Sequence, residues 1–104
     1  MAKTTKQKLR NIHPGEVLRE EFLRPLGISQ YRLAKEICVT EARISAICSG
    51  KRTITADTAL RLAAFFGTTN GFWLGLQADY DTEEAAKELS GVLAQIQRFE
   101  PLAA

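Results

Sequence analysis

A chain of 104 residues, 45% hydrophobic and 25% charged, suits one globular domain with one core; no low-complexity segment appears and nothing suggests an internal repeat at solenoid periods. No apolar run approaches the roughly 18 residues that span a bilayer, and no secretory h-region follows the N-terminal charges, so a cytoplasmic protein is expected. The net charge of +2 hides an asymmetry: residues 1–10 carry Lys3, Lys6, Lys8 and Arg10 with no acid, whereas residues 79–104 carry Lys87 and Arg98 against Asp79, Asp81, Glu83, Glu84, Glu88 and Glu100. A basic arm touches nucleic acid or simply solubilises, and at this length both readings stay open. His13 is the only histidine, so a His-containing metal site or a His-based catalytic triad lacks material. No enzyme and no cofactor are expected.

Helical punctuation dominates. "HPGEVLREEFL" opens with Pro14 at a first helical position and early acids, and its apolar side is Val17, Leu18 and Phe22. "PLG" at 25–27 is expected to break it. Ser29 then caps "QYRLAKEI", with Leu33, Ala34 and Ile37 inward. Thr40 caps a helix that runs to about Cys48, and Gly50 suits the left-handed residue that closes it. Thr55 caps "ADTALRLAAFFG", whose stripe is Ala59, Leu62, Ala63 and Phe66. Asn70 is expected to cap "GFWLGLQADY", with Phe72, Trp73 and Leu76 as core. A last helix is expected to start at Thr82 and run through "TEEAAKELSGVLAQIQRF", weakened at Gly91 by about 1 kcal/mol relative to alanine. The expected fold is all-α: a five-helix bundle with an additional C-terminal helix. Residues 1–10 form a flexible arm, 11–80 the domain, and 81–104 a helix and tail. Cys38 and Cys48 read as buried free thiols.

Residues 29–49 place two short helices around a tight turn, the layout of a helix-turn-helix; an ordinary helical hairpin is the plainer alternative. Leu33, Ala34, Ile37, Val39, Ile44 and Ile47 form its inward set, and Ala34 sits where the helices cross. On the second helix, Ile44, Ile47 and Cys48 share one side, while Ala42, Ser45, Ala46 and Ser49 lie opposite, flanked by Glu41 and Arg43. A merely solvated face more often carries Lys and Glu, although small residues are also simply tolerated there. Small side chains let a helix enter a major groove about 12 Å wide; Arg43 can pair with guanine and Glu41 with a cytosine amino group. Ser29, Gln30 and Thr40 lie at helix starts, where free N–H groups favour phosphate. Lys51 and Arg52 can clamp phosphate or complement the negative end of the preceding helix.

"ISQYRLAKEICVTEARISAICSGKRTITADTALRLAAFFGTT" resembles the Xre-type helix-turn-helix of phage repressors and bacterial regulators. With "HPGEVLREEFLRPLGIS" before it and "FWLGLQADYD" after it, residues 11–85 resemble the HigA/VapI antitoxins. The resemblance implies an antitoxin that blocks a HigB-type ribonuclease and represses its own operon as a dimer on double-stranded DNA. By motif match, Gln30 is a phosphate or first-base contact, Glu41, Ala42 and Arg43 are base-reading, and Ser45, Ala46 and Ser49 face the groove. Cys38 departs from the pattern, since glycine is common at that turn position; a cysteine there must adopt a left-handed conformation, or the turn must differ.

A twofold dimer would set two reading helices about 34 Å apart on a pseudo-palindrome. Leu89, Val92, Ile96 and Phe99 repeat like a short a/d seam and are the dimer candidates, unless they pack on their own domain. The basic arm and the acidic tail are both candidates for toxin contact. A stand-alone repressor and a helix-turn-helix scaffold used only for protein interaction are the competing functions.

Overall fold

The structure, a computed structural model, describes residues 10–101; the rest of the basic arm, with Lys3, Lys6 and Lys8, lies outside them. Six helices and no strands make up the described residues. The first, α1, is continuous through three pieces: α-helical Pro14–Val17, a π-helical stretch Leu18–Leu23, and α-helical Arg24–Leu26. Then follow α2 (Gln30–Glu36), α3 (Glu41–Cys48), α4 (Ala56–Phe66), α5 (Asn70–Glu88) and α6 (Ser90–Gln95).

The helices start where side chains can take up free backbone N–H groups. Ser29 Oγ accepts from Arg32 N at 3.0 Å, and Thr40 Oγ1 accepts from Arg43 N at 3.1 Å. The start of α1 uses an imidazole instead: His13 Nδ1 accepts from Gly15 N at 2.8 Å. The break expected at 25–27 falls at its glycine rather than at its proline. The helix carries through Pro25 and closes at Gly27, whose φ is 66°. The wider π turn just before Pro25 accommodates a residue that has no N–H to donate and whose ring crowds the preceding turn.

One core joins α1 to α5. Leu18, Leu33, Ile44, Ile47, Leu62 and Trp73 are fully buried, each contributing about 1.5–3 kcal/mol by leaving water. Buried Trp73 also satisfies its indole N–H, donating to Thr68 Oγ1 at 2.8 Å. Phe22 stacks against Phe66 and Trp73 with ring centroids 4.9 and 4.8 Å away. Gly15 marks the closest approach: a Cβ built there would lie 1.7 Å from the Ile47 carbonyl oxygen. The backbone of α1 therefore rests directly on the end of α3.

Five expectations need correction. Thr69, not Asn70, caps α5, its Oγ1 accepting from Phe72 N at 3.1 Å. Phe72 is exposed and Leu76 half-buried, because they flank the stripe that Trp73 centres. Cys38 is exposed, while Cys48 is buried. No helix starts at Thr82: α5 runs on to Glu88, since residues 76–90 contain no Gly or Pro to stop it. Gln77 Nε2 donates to Asp81 Oδ1 at 3.0 Å along the same helix, tying together the turns across the expected break. The chain turns instead at Leu89, and α6 ends at Gln95 rather than near Phe99. Gly91 sits in that short helix, where it weakens continuation.

Candidate nucleic-acid interface

Helices α2 and α3, with the turn between them, lie against α1 and α4. The closure of α2 uses two backbone bonds, Val39 N to Ala34 O at 2.9 Å and Cys38 N to Lys35 O at 3.3 Å. The closure of α3 repeats this pattern, with Lys51 N to Ala46 O at 2.8 Å and Gly50 N to Ile47 O at 3.0 Å. Both have a left-handed residue at the pivot: Gly50 at φ 81° in α3, and Cys38 at φ 62° in α2. The helix-turn-helix geometry thus survives without glycine, at a cost of about 1–2 kcal/mol.

The turn is held from outside by α4. Arg61 Nη1 donates to the carbonyls of Ile37 and Cys38 at 2.8 and 3.3 Å. Its Nε donates to Asp57 Oδ1 at 2.7 Å, and the same oxygen accepts from Arg43 Nη1 at 3.1 Å. Arg61 first and Arg43 second hold the Asp57 carboxyl below its ordinary range. A cleft of about 220 Å³ opens beside them, lined by Cys38, Val39, Thr40, Arg43, Arg52 and Arg61. At the other end of α3, Arg19 reaches the Cys48 carbonyl from α1.

The expected site residues fall into three groups. Glu41, Ala42, Ser45 and Ser49 are exposed on the outer side of α3, opposite buried Ile44, Ile47 and Cys48. Ala46 is half-buried, so it sits at the edge of that face. Ser49 stands at the α3 cap, and its hydroxyl donates to Ala46 O at 3.2 Å. Arg43 differs from expectation: it is paired with Asp57, and its side chain is only 22% exposed. Ser29 and Thr40 are exposed caps, Gln30 is the half-buried first residue of α2, and Lys51 and Arg52 are exposed just beyond Gly50. Leu89, Val92, Ile96 and Phe99 are all exposed, the last at 81%; they do not pack on the described domain.

Reading the sequence missed Asp57, Arg61 and Arg19. The i,i+4 spacing of Asp57 and Arg61 is a visible helix-pair signal. The Arg43–Asp57 pairing crosses a loop and left no periodic trace. Among the described residues, no group of three His, Cys, Asp or Glu side chains is placed to hold a metal ion, and no helix is long and apolar enough to cross a membrane.

Two helices around a tight turn, with a small-residue face held outward at both ends, define a helix-turn-helix protein. The helix-turn-helix family model (HTH_3) matches residues 18–73. Virulence-associated protein I of Dichelobacter nodosus is 45% identical over 87 residues, covering 84% of this chain and 81% of its own. Antitoxin HigA-1 of Vibrio cholerae is 40% identical over 76 residues, covering 73% and 71%. The solved structure of Pseudomonas aeruginosa antitoxin HigA with the higBA promoter superposes at a TM-score of 0.80, with 37% identity, over 90% of this chain and all of the other. The chain belongs to the Xre-type helix-turn-helix family and, within it, to the HigA/VapI antitoxin group.

Proposed function

We propose that this protein is a DNA-binding antitoxin, which represses its own operon as a dimer on a pseudo-palindromic operator and neutralises a HigB-type ribonuclease. The observation that carries the reading is the outer face of α3: exposed, small and bounded by Glu41 and Arg43. Its blandness suits close approach to base edges, with Ala42, Ser45, Ala46 and Ser49 clearing space for the groove. Ser29, Gln30 and Thr40 present helix starts to phosphate, and Lys51 and Arg52 add charge beyond α3. Each clamped phosphate releases counterions, so affinity falls steeply with salt. The solved HigA relative bound to promoter DNA supports the reading.

The division of labour follows. Residues 11–80 serve as the DNA-reading head, and residues 81–104 carry the dimer or toxin contact. In the C-terminal part, Leu89, Val92, Ile96 and Phe99 form the dimer surface; their exposure on a short helix and its extension favours a partner over the chain's own domain. Residues 1–10 add a basic arm. The protein works in the cytoplasm, and its role is binding rather than catalysis.

The test is a footprint of the DNA upstream of its own gene with purified protein, together with co-purification with the product of the neighbouring reading frame. Protection of two half-sites about one helical turn apart is the expected result. Protection without a co-purifying ribonuclease would point to a stand-alone repressor. Absence of any salt-dependent, sequence-specific shift would leave only the protein-interaction reading.

A further inference from the structure

We infer that Asp57 is a positioning residue for sequence recognition: it holds Arg43 in the pose from which that side chain reads a base edge, without contacting the base itself. This rests on the proposed reading of DNA by α3.

Arg43 and Asp57 stand on different helices, 14 positions apart, on the two sides of the loop that joins α3 to α4. A free arginine has a long, flexible stem and samples many poses, of which few present its planar fork to a guanine edge. Here one donor, Nη1, is committed to Asp57 Oδ1 at 3.1 Å. The guanidinium has five N–H donors, so enough remain for a bidentate pair with a base.

Asp57 is itself fixed. Arg61 Nε binds the same oxygen at 2.7 Å, and Arg61 Nη1 binds the carbonyls of Ile37 and Cys38. The helix-turn-helix turn, the first turn of α4 and the N-terminal turn of α3 therefore share one hydrogen-bonded chain. Both arginines keep Asp57 ionised well below neutral pH, so the contact persists under ordinary conditions.

The carboxylate has a second effect. Its negative charge stands beside the cleft lined by Arg43, Arg52 and Arg61 and offsets part of their attraction for any phosphate backbone. Asp57 thereby restrains sequence-independent binding while directing Arg43 toward sequence.

The experiment measures affinity for a duplex from the protein's own promoter and for a scrambled duplex of equal composition, at several salt concentrations. The full-length proteins are wild type, Arg43→Ala, Asp57→Ala, Asp57→Asn and the Arg43→Ala/Asp57→Ala double variant, each checked for folding by its thermal melt. Arg43→Ala is expected to lower the promoter-over-scrambled ratio about tenfold, the value of one good bidentate contact. Asp57→Ala is expected to lower that ratio about three- to tenfold while raising affinity for scrambled DNA. In the Arg43→Ala background, Asp57→Ala should leave the ratio unchanged. Asp57→Asn removes the charge but keeps an acceptor oxygen, so a smaller drop in the ratio is expected with the same rise in affinity for scrambled DNA, and this is the readout if Asp57→Ala does not fold.

An unchanged ratio in the folded Asp57 variants overturns the inference, as does an equal drop in the presence and absence of Arg43. If Arg43→Ala leaves the ratio intact, Arg43 is not a base reader and the inference falls with that assignment. If wild type does not discriminate between the duplexes, the DNA-reading function itself fails.

Discussion

Arg19 Nη1 donates a 2.6 Å hydrogen bond to the carbonyl oxygen of Cys48, the last residue of α3. The contact joins the π-helical stretch of α1 to the C-terminal end of α3, and it places a cation at that helix's negative pole. Arg19→Ala should therefore cost about 1–2 kcal/mol of stability, read from the midpoint of urea unfolding. Arg19→Lys should recover only part of it, because a lysine lacks the fork that also lets Arg19 Nε reach Glu20. An Arg19→Ala protein as stable as wild type would mean that this contact contributes nothing.

Cys38 holds a left-handed backbone that glycine adopts freely. Its side chain is exposed, so little packing is lost on removing it. Cys38→Gly should stabilise the fold by about 0.5–1 kcal/mol, the relieved strain less the added freedom of the unfolded chain. Cys38→Val should destabilise it, since a β-branched residue tolerates this region least. Chemical denaturation of the three proteins in reductant ranks them directly.

The cap made by His13 needs a neutral imidazole, since Nδ1 accepts from Gly15 N. Burial lowers the His13 pKa from the usual 6.5, with nearby Asp81 opposing part of the shift. The unfolded chain therefore binds the proton first. Stability from this group is complete above pH 6.5, declines as pH falls through that value, and levels off below the lowered pKa of the folded state. Glu16 and Glu84 have pKa values lowered from 4.5, by Arg10 and Asn11 respectively, so their contributions are lost in a more acidic window. Thermal melts between pH 7.5 and 5 should show the first decline in wild type, and His13→Asn, which retains a capping acceptor, should lack it.

The exposed stripe of Leu89, Val92, Ile96 and Phe99 sets the expectation for assembly. Val92→Asp with Ile96→Asp should convert a dimer to a monomer in light scattering coupled to gel filtration, with helical content unchanged. Promoter affinity should fall with it, because two half-sites would no longer be held together. A double variant that remains dimeric would move the interface elsewhere.

Local chemistry made much of this fold legible. Ser29, Thr40 and Thr55 cap the helices expected of them, and Gly50 closes α3. At Cys38 the motif left two outcomes open, a left-handed residue or a different turn, and the backbone takes the first. Thr82, Glu83 and Glu84 imitate a helix start, but such signals act only where the backbone has already left the helix, and here it has not. Thr69 and Asn70 are both good caps, one residue apart, and boundaries of that kind are decided by packing of the following helix. The face of α3 was readable from its wheel because burial imposes a period. The Arg43–Asp57 pair was not, because a contact across a loop imposes none.

Gly15 gives the molecule a separation of duties. Glu41, Ala42, Ser45 and Ser49 lie outward, whereas the seat of α3 is set on its inner side, by the α1 backbone against Ile47. Outer side chains can therefore be exchanged while the seat of the helix stays put. A side chain at Gly15 would instead collide with the Ile47 backbone and force α1 and α3 apart. The outward face of α3 and the contact that seats it are thus set by different residues, so a change to one need not disturb the other.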